Sequence, residues 1–128
     1  MAVILDHFQQ PRNYGELAGP DVDEEQLNPS CGDRVRVQAR IGEAGRLEEV
    51  GFIGNGCVIS MAAASLLTTM TEGRTLAEVV RLPEASIIDA LEASISARRI
   101  DCALLAFRAL RSGLISYYHA NRLREKGQ

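Results

Sequence analysis

The sequence predicts an α+β fold, with helices packed on one face of a small antiparallel sheet. Two strand-like runs, residues 34–41 and 46–54, flank the glycine-containing segment 42–45 and indicate a β-hairpin. Helix-favouring patterns stand in blocks before and after this hairpin instead of alternating with strands. Because elements segregated in this way are typical of α+β domains, we expect the helices to cover one face of the sheet.

The region before the hairpin is predicted to hold one short helix and a long connection. Residues 2–9 suit a helix that ends before Pro11, because proline cannot occupy a helix interior without breaking it. The segment 19–33 is acidic and rich in turn-forming residues, which indicates a loop that leads into the hairpin.

The run 34–41 alternates strictly between apolar and polar side chains, which is the pattern of a half-buried strand. The apolar set is predicted to face the core and consists of Val35, Val37, Ala39 and Ile41. The polar set consists of Arg34, Arg36, Gln38 and Arg40. We interpret the arginines as a solvent-exposed face of the sheet, with attraction of an acidic partner as the alternative.

Two helices are predicted directly after the hairpin. Residues 57–70 are small, apolar and rich in alanine, which favours a helix that stops at Gly73. Thr75 and Glu78 have the spacing of a capping box, in which each residue binds a free backbone N–H group at the start of a helix. We therefore expect a second helix that opens at Thr75 and ends near Pro83.

The remaining residues are predicted to form a short helix over 84–95 and a long C-terminal helix over 100–125. The long helix carries an apolar stripe at helical spacing, formed by Ile100, Ala103, Leu104, Phe107, Leu110, Leu114 and Tyr118. Gly113 is expected to weaken this helix by about 1 kcal/mol relative to alanine, which packing can offset.

Length and charge narrow the classes of function. The 128 residues fit a single domain, residues 1–128, whose core needs neither a disulfide nor a metal to form. The net charge of -3 argues against the basic surface of a nucleic-acid-binding protein. No apolar run approaches the ~20 residues of a membrane helix, and the N-terminus lacks the pattern of a signal peptide. We expect a soluble cytoplasmic protein that binds neither nucleic acid nor membrane.

The two histidines of the chain are interpreted as structural. His7 is predicted to pack or cap within the first helix, and His119 is predicted to lie on a solvated face of the last helix. The cysteines and the carboxylates are therefore the candidates for a functional site.

Three cysteines stand at the ends of predicted elements. Cys31 lies in a loop before the first strand, Cys57 at a strand-to-helix junction and Cys102 in the first turn of the last helix. An odd number of widely spaced cysteines does not form a compact disulfide framework, so we expect reduced thiols. Because a helix N-terminus favours thiolate over thiol, we expect ionisation to be favoured at Cys57 and Cys102.

Three thiolates and one oxygen would complete a tetrahedral metal site. Zinc accepts sulfur and carboxylate oxygen, and iron–sulfur clusters are held by thiolates. Asp33, two residues after Cys31, is placed to supply the oxygen, whereas Asp101 should project about 100° away from Cys102 around its helix. Spacing alone leaves open the alternative of three unrelated cysteines, since buried free cysteine is common.

Longer stretches of the sequence resemble one known family. They cover nearly the whole chain and occur in the order "ILDHFQQPRNYGEL", "NPSCGD", the hairpin, "GFIGNGCVISMAAASLL", "EGRTLAEV" and "RRIDCALLAFRAL". In this combination the chain is similar to the IscU/SufU/NifU N-terminal family of iron–sulfur cluster assembly scaffold proteins.

This resemblance implies a fold, a site and a function. The implied fold is a three-stranded antiparallel sheet with helices packed on it. The implied ligands of zinc or of an iron-containing [2Fe–2S] cluster are Cys31, Asp33, Cys57 and Cys102. The scaffold would accept sulfur from a cysteine desulfurase, assemble the cluster and pass it to acceptor or carrier proteins. Cys102 would accept the persulfide sulfur, with Arg99 in an assisting role.

The resemblance leaves two branches of the family open. The IscU branch carries a histidine before its third cysteine and a Leu-Pro-Pro-Val-Lys segment for a dedicated chaperone, where this chain has Asp101 and "SARRI". Use of that chaperone is left open. Arg99, three residues before Cys102, is similar to the SufU branch, although the insertion usual in that branch is absent. The SufU-type alternative is a zinc-dependent sulfurtransferase that activates a cysteine desulfurase by accepting its persulfide sulfur.

Two further alternatives belong to other classes of protein. The first is a structural zinc module that only binds partners, which would need its metal in order to fold. The second is a thiol redox enzyme, which is disfavoured because no two cysteines form a Cys-x-x-Cys pair. Whether the chain is an enzyme in the conventional sense is left open.

Overall fold

The computed structural model describes residues 1–126 of the chain. Its helices and strands follow the order α1 (Ala2–Gln9), β1 (Val22–Asn28), β2 (Asp33–Ile41), β3 (Leu47–Asn55), α2 (Val58–Thr71), α3 (Leu76–Val80), α4 (Glu84–Ala90) and α5 (Ile100–Lys126). Short 3-10 turns cover Glu43–Gly45 and Ala97–Arg99. No helix within these residues is both long and apolar enough to span a bilayer.

The sheet has three antiparallel strands in the order β1-β2-β3. The hairpin of β2 and β3 is the one that the alternating pattern predicts, and the α+β class is confirmed. Asn28 is paired with Asp33 at one end of the sheet, and Arg34 is paired with Asn55 at the same end. The β1–β2 turn and the β3–α2 junction therefore lie side by side.

The prediction of a loop over residues 19–33 is wrong for residues 22–28, which form the edge strand β1. This strand alternates in burial, with Val22 and Asn28 buried at its two ends. Glutamate and aspartate are poor strand formers, so composition hid the pattern. Pairing with β2 supplies the backbone hydrogen bonds, and α5 covers one face of the strand.

The core lies between the inner face of the sheet and helices α2 and α5. Val35, Val37 and Ala39 on β2 are completely buried, as the alternation predicts. Helix α5 is buried around most of its circumference from Cys102 to Leu110. The helix therefore runs through the interior instead of lying on the surface with one apolar stripe.

One predicted helix boundary and one predicted core residue are corrected by the structure. The helix predicted over 84–95 ends at Ala90, because Glu92 adopts a left-handed conformation with φ of 51° and turns the chain. Tyr118, predicted on the apolar stripe, is 47% exposed. Tyr117 packs against the core instead, three residues after the buried Leu114.

A glycine sets the distance between α5 and β1. A Cβ atom on Gly113 would lie 2.6 Å from Cγ1 of Val22 and 3.2 Å from Cβ of Glu24. Contacts of 2.6 Å do not occur between carbon atoms, so any side chain at this position would push the helix away from the strand. The glycine that weakens the helix in isolation therefore permits its close packing.

The outer face of β2 carries the arginines, as predicted. Each arginine forms an ion pair with an acidic side chain of the same chain, and these pairs are Arg34 with Glu25, Arg36 with Asp23 and Arg40 with Glu49. The Arg36–Asp23 pair has two nitrogen–oxygen contacts of 2.6 Å. Intramolecular pairing thus accounts for this face better than an acidic partner does.

Polar side chains of α2 hold the N-terminal segment in place. Nδ1 of His7 lies 2.8 Å from Oγ of Ser65, which also accepts the backbone N–H of Arg12 at 2.8 Å. The side-chain amide of Asn13 donates to Oγ1 of Thr68 at 3.0 Å. His7 is buried, which confirms its packing role, and His119 is exposed on α5 as predicted.

The environment of His7 predicts a loss of stability in mild acid. Burial, followed by the nearby Arg12 guanidinium, lowers the pKa of His7 below its usual 6.5. The unfolded chain therefore binds a proton at this residue more readily than the folded protein does. The free energy of unfolding should fall as the pH drops through the unfolded pKa, and the slope should vanish below the folded pKa.

Urea unfolding between pH 5 and pH 8 checks this expectation. His7→Gln should remove most of the pH dependence in that range. His119→Gln is the matched control, since the chain has two histidines and His119 is exposed. An unchanged pH profile for His7→Gln would show that other groups are responsible.

The close approach at Gly113 predicts that Gly113→Ala destabilises the protein. Alanine favours a helix by about 1 kcal/mol over glycine, but overpacking a core position costs about 1–3 kcal/mol. We expect a net loss of about 1 kcal/mol in the free energy of unfolding, measured by chemical denaturation. In a Val22→Ala background the same substitution should be neutral or stabilising. Stabilisation in the wild-type background would contradict the steric argument.

Candidate metal centre

Cys31, Asp33 and Cys102 meet at the end of the sheet where β1 turns into β2, and Cys57 lies beside them. Cys31 lies in this turn, Asp33 is the first residue of β2, Cys57 caps the N-terminus of α2 and Cys102 lies in the first turn of α5. The Sγ atoms of Cys31 and Cys102 are 3.6 Å apart. One donor atom from each of Cys31, Asp33 and Cys102 lies within 4.8 Å of the others.

Backbone hydrogen bonds in the β1–β2 turn present Cys31 to solvent. The carbonyl oxygen of Asn28 accepts the N–H of Gly32 at 2.8 Å and that of Cys31 at 3.3 Å. Gly32 has φ of 75°, a left-handed conformation that glycine adopts without strain. The tight turn leaves the thiol of Cys31 exposed.

Cys57 stands beside this group of donors but outside it. Its Sγ accepts the backbone N–H of Ser60 at 3.4 Å, so the cysteine acts as the N-cap of α2. The hydroxyl of Ser60 lies 3.6 Å from the same sulfur. The thiol is half-buried and faces its own helix in this conformation.

Asp33 connects the sheet to α2. Its Oδ1 accepts the backbone N–H of Cys57 at 3.1 Å. A Cβ atom on Gly56 would lie 3.1 Å from the Asp33 carboxyl carbon and 2.4 Å from Oγ of Ser60. The glycine before Cys57 therefore makes room for the carboxylate.

The carboxylate of Asp33 is buried, ionised and incompletely paired. Burial alone would raise its pKa, but hydrogen bonding from Cys57 and the nearby polar groups of Cys31 and Ser60 outweigh burial and lower the pKa below the usual value. Its Oδ2 atom is buried and has no hydrogen-bond partner among the described residues. An ionised oxygen without a partner is costly in an interior, which makes this a position suited to a cation.

Burial opposes the ionisation that was expected for Cys102 at its helix N-terminus. Cys102 is 2% exposed. Burial, followed by hydrogen bonding with Cys31, raises the pKa of Cys102 to about 12. Desolvation thus outweighs the helix dipole, and the thiol is protonated at neutral pH. A cation bound here would supply the positive charge that favours its thiolate.

Two charged residues before Cys102 stand apart from the donors. Asp101 is exposed and accepts a hydrogen bond from Nη1 of Arg108 at 2.8 Å, so it projects away from the thiols as predicted. Arg99 ends the 3-10 turn that precedes α5 and is half-buried. Neither side chain contacts a thiol by a hydrogen bond in the part of the chain that the structure describes.

Two residues near the thiols were not predicted from the sequence. The side-chain amide of Asn28 lies 3.7 Å from Sγ of Cys102. Ser60 holds Cys57, as described above. The serine had a signal, because it stands at the capping distance of three residues from Cys57. Asn28 had none, since its partner lies 74 residues away.

The donor set suits a thiophilic cation. Three sulfurs and one carboxylate oxygen match the ligands that zinc accepts in a tetrahedral site, and thiolates are also the ligands of iron–sulfur clusters. The unpartnered Oδ2 of Asp33 shows that the present residues fit such a group. Cys57 would have to leave its capping bond to join the other donors.

Comparison with known proteins agrees with this geometry. The family of NifU-like N-terminal domains matches residues 1–124. The iron–sulfur cluster assembly scaffold protein IscU of Azotobacter vinelandii is 33% identical over 123 residues, which are 94% of each chain. The scaffold protein IscU 1 of Archaeoglobus fulgidus is 30% identical over 118 residues, which are 92% of this chain and 76% of that protein.

A solved structure shares the fold. It comes from Fervidobacterium islandicum AW-1, where the protein is described as a proposed iron–sulfur cluster assembly scaffold for the SUF system. The TM-score is 0.75 at 24% identity, and the match covers 89% of this chain and 95% of the other. The family match over nearly the whole chain and the identity to IscU proteins lead to one conclusion: the chain belongs to the family of NifU-like N-terminal domains.

Proposed function

We propose that this protein is a scaffold on which an iron–sulfur cluster is assembled before transfer to acceptor proteins. The observation that carries the proposal is the meeting of Cys31 and Cys102 with a buried, ionised carboxylate whose second oxygen has no partner, beside the thiol of Cys57. Family membership supports the same reading, because curated relatives are named as scaffolds of this kind.

The cluster is the cargo of this reaction, and four side chains would hold it. They are Cys31, Asp33, Cys57 and Cys102. A carboxylate binds iron less firmly than a thiolate does, so Asp33 is the ligand from which release would begin. Zinc is the alternative occupant, since the same four donors form a tetrahedral set.

Sulfur would enter this site by exchange with the persulfide of a cysteine desulfurase. A thiolate of the scaffold attacks the outer persulfide sulfur, a new S–S bond forms on the scaffold, and the donor leaves as a thiolate. Cys31 is exposed and Cys102 is buried with a raised pKa. We therefore propose that Cys31 is the first acceptor of persulfide sulfur in the metal-free protein. Cys102, for which this role was predicted, would accept sulfur only when its thiol is ionised.

The surface around the site suits protein partners. Leu27 is 52% exposed and Val58, next to Cys57, is 39% exposed. Arg98 and Arg99 add positive charge just before α5, which suits an anionic persulfide. Because all three cysteines are free thiols in the structure, we propose a reducing compartment such as the cytoplasm.

The SufU-type alternative has one observation in its favour. The IscU branch has a histidine directly before its third cysteine, where this chain has Asp101. The bond of Asp101 to Arg108 makes it unavailable as a substitute ligand at that position. A zinc ion held by three cysteines and Asp33 would then suffice for a sulfurtransferase that activates a desulfurase. Zinc content of the purified protein and stimulation of a desulfurase separate this alternative from cluster assembly.

Cluster assembly in the absence of oxygen tests the main proposal. Incubation of the wild-type protein with ferrous iron, cysteine and a cysteine desulfurase should give sulfur-to-iron absorption in the visible range. Cys57→Ser should abolish this absorption, because the proposal requires Cys57 to leave Ser60 and bind. Asp101→Ala is the matched control and should behave like the wild type. A wild-type protein that stays colourless while the desulfurase is active would refute the scaffold function.

Mass spectrometry after exposure to a desulfurase tests the point of sulfur entry. In metal-free protein, Cys102→Ser should still gain persulfide sulfur, whereas Cys31→Ser should lose most of it, because Cys102 is buried and protonated. The opposite pattern would assign the acceptor role to Cys102. Equal retention in both variants would point to Cys57.

A further inference from the structure

We propose that Asn28 is a positioning residue of the metal centre. Its side-chain amide holds the sulfur of Cys102, and its two carbonyl groups hold the turn that carries Cys31. This inference rests on the proposed function, because it takes Cys31 and Cys102 as ligands.

The contacts of Asn28 join two parts of the chain. Nδ2 donates to Sγ of Cys102 on α5 at 3.7 Å, within the range of a hydrogen bond to sulfur. Oδ1 accepts the backbone N–H of Ser30 at 3.1 Å. The residue is 9% exposed, so water does not compete freely for either group.

The bond to Ser30 determines which end of the amide faces the sulfur. The backbone N–H of Ser30 can only donate, so the oxygen of the Asn28 side chain must face it. The NH₂ group is then left facing Cys102. The opposite orientation would place two donors against each other and leave the sulfur facing an oxygen.

The backbone of Asn28 controls the other thiol. Its carbonyl oxygen accepts the N–H groups of Cys31 and Gly32, and it lies 4.0 Å from Sγ of Cys31. Asn28 is also paired with Asp33 across the β1–β2 ladder. A single residue thus touches or neighbours all three of the donors that the structure brings together.

A hydrogen bond to a ligating sulfur changes the chemistry of that sulfur. An N–H donor withdraws electron density from the thiolate, and such bonds help to set the potentials of iron–sulfur clusters. Partners behind the ligands also orient them. The amide is neutral, so Asn28 restrains Cys102 without altering the net charge of the site. The consequence is a sulfur whose orientation and charge density are both set by Asn28, so loss of the amide should weaken metal binding and change the metal–sulfur bond.

Cobalt(II) binding is the experiment that tests this role. The probe is Co²⁺ alone, titrated under anaerobic conditions into the metal-free wild type, Asn28→Ser and Asn28→Thr. Both substitutions keep an oxygen that can accept from Ser30, and both replace the amide N–H group that reaches Cys102 by a shorter hydroxyl engaged with Ser30. We expect the sulfur-to-cobalt charge-transfer band to move to longer wavelength and the affinity for Co²⁺ to fall about tenfold.

The matched control is Asn55→Ser, which changes an exposed asparagine two residues before Cys57. It should leave both the band and the affinity as in the wild type. A residue with only a structural role would alter the affinity but not the band position. Circular dichroism identifies which Asn28 variant is folded, and threonine suits the strand position if serine does not.

The outcomes separate this inference from the proposed function. A wild-type protein without a sulfur-to-cobalt band would contradict the metal centre and the role of Asn28 together. A normal wild-type band that stays unmoved in a folded Asn28 variant would contradict the role of Asn28 alone. A band that moves equally in Asn55→Ser would do so as well.

Discussion

The close packing of α5 on β1 is the contact on which the arrangement of the thiols depends. At Gly113 the helix and the strand approach so closely that a Cβ atom would lie 2.6 Å from Val22. Cys102 lies about 16 Å further toward the start of the same helix, at 1.5 Å per residue. Because α5 is one continuous helix through the core, its position at Gly113 also fixes the position of its first turn. There Sγ of Cys102 lies 3.6 Å from Sγ of Cys31.

Asp33 provides the second link between the elements that carry the donors. It also leaves one buried oxygen of the centre without a hydrogen-bond partner. The carboxylate joins the first residue of β2 to the N-terminus of α2 through its bond to Cys57. Over the described residues, the buried side-chain atoms without a partner are Oδ2 of Asp33 and Nη1 of Arg12. Buried polar atoms without a hydrogen-bond partner are expected mainly at functional sites, where function opposes stability. A cation would satisfy the Asp33 oxygen.

Local patterns in the sequence were enough for most of the fold. The alternation over 34–41 predicts β2, and the Thr75–Glu78 spacing predicts the capping box that the structure contains. The acidic strand β1 was not predicted, because it is stabilised by its packing against β2 and α5 and not by its own composition.

The same limit applies to the site. The placement of the cysteines at the ends of elements indicated a shared centre. The burial of Cys102, which opposes its expected ionisation, depends on the packed fold and could not be predicted from the local sequence. The bond from Asn28 to Cys102 crosses 74 residues and has no local signature.

The two thiols that meet also differ in character, since Cys31 is exposed and Cys102 is buried. If the two sulfurs hold a metal as proposed, the buried thiol with its raised pKa would take back a proton when the metal leaves, so proton uptake would favour release. The exposed thiol beside it would give a partner protein access to the same metal. Two sulfurs 3.6 Å apart would then contribute differently to binding and release.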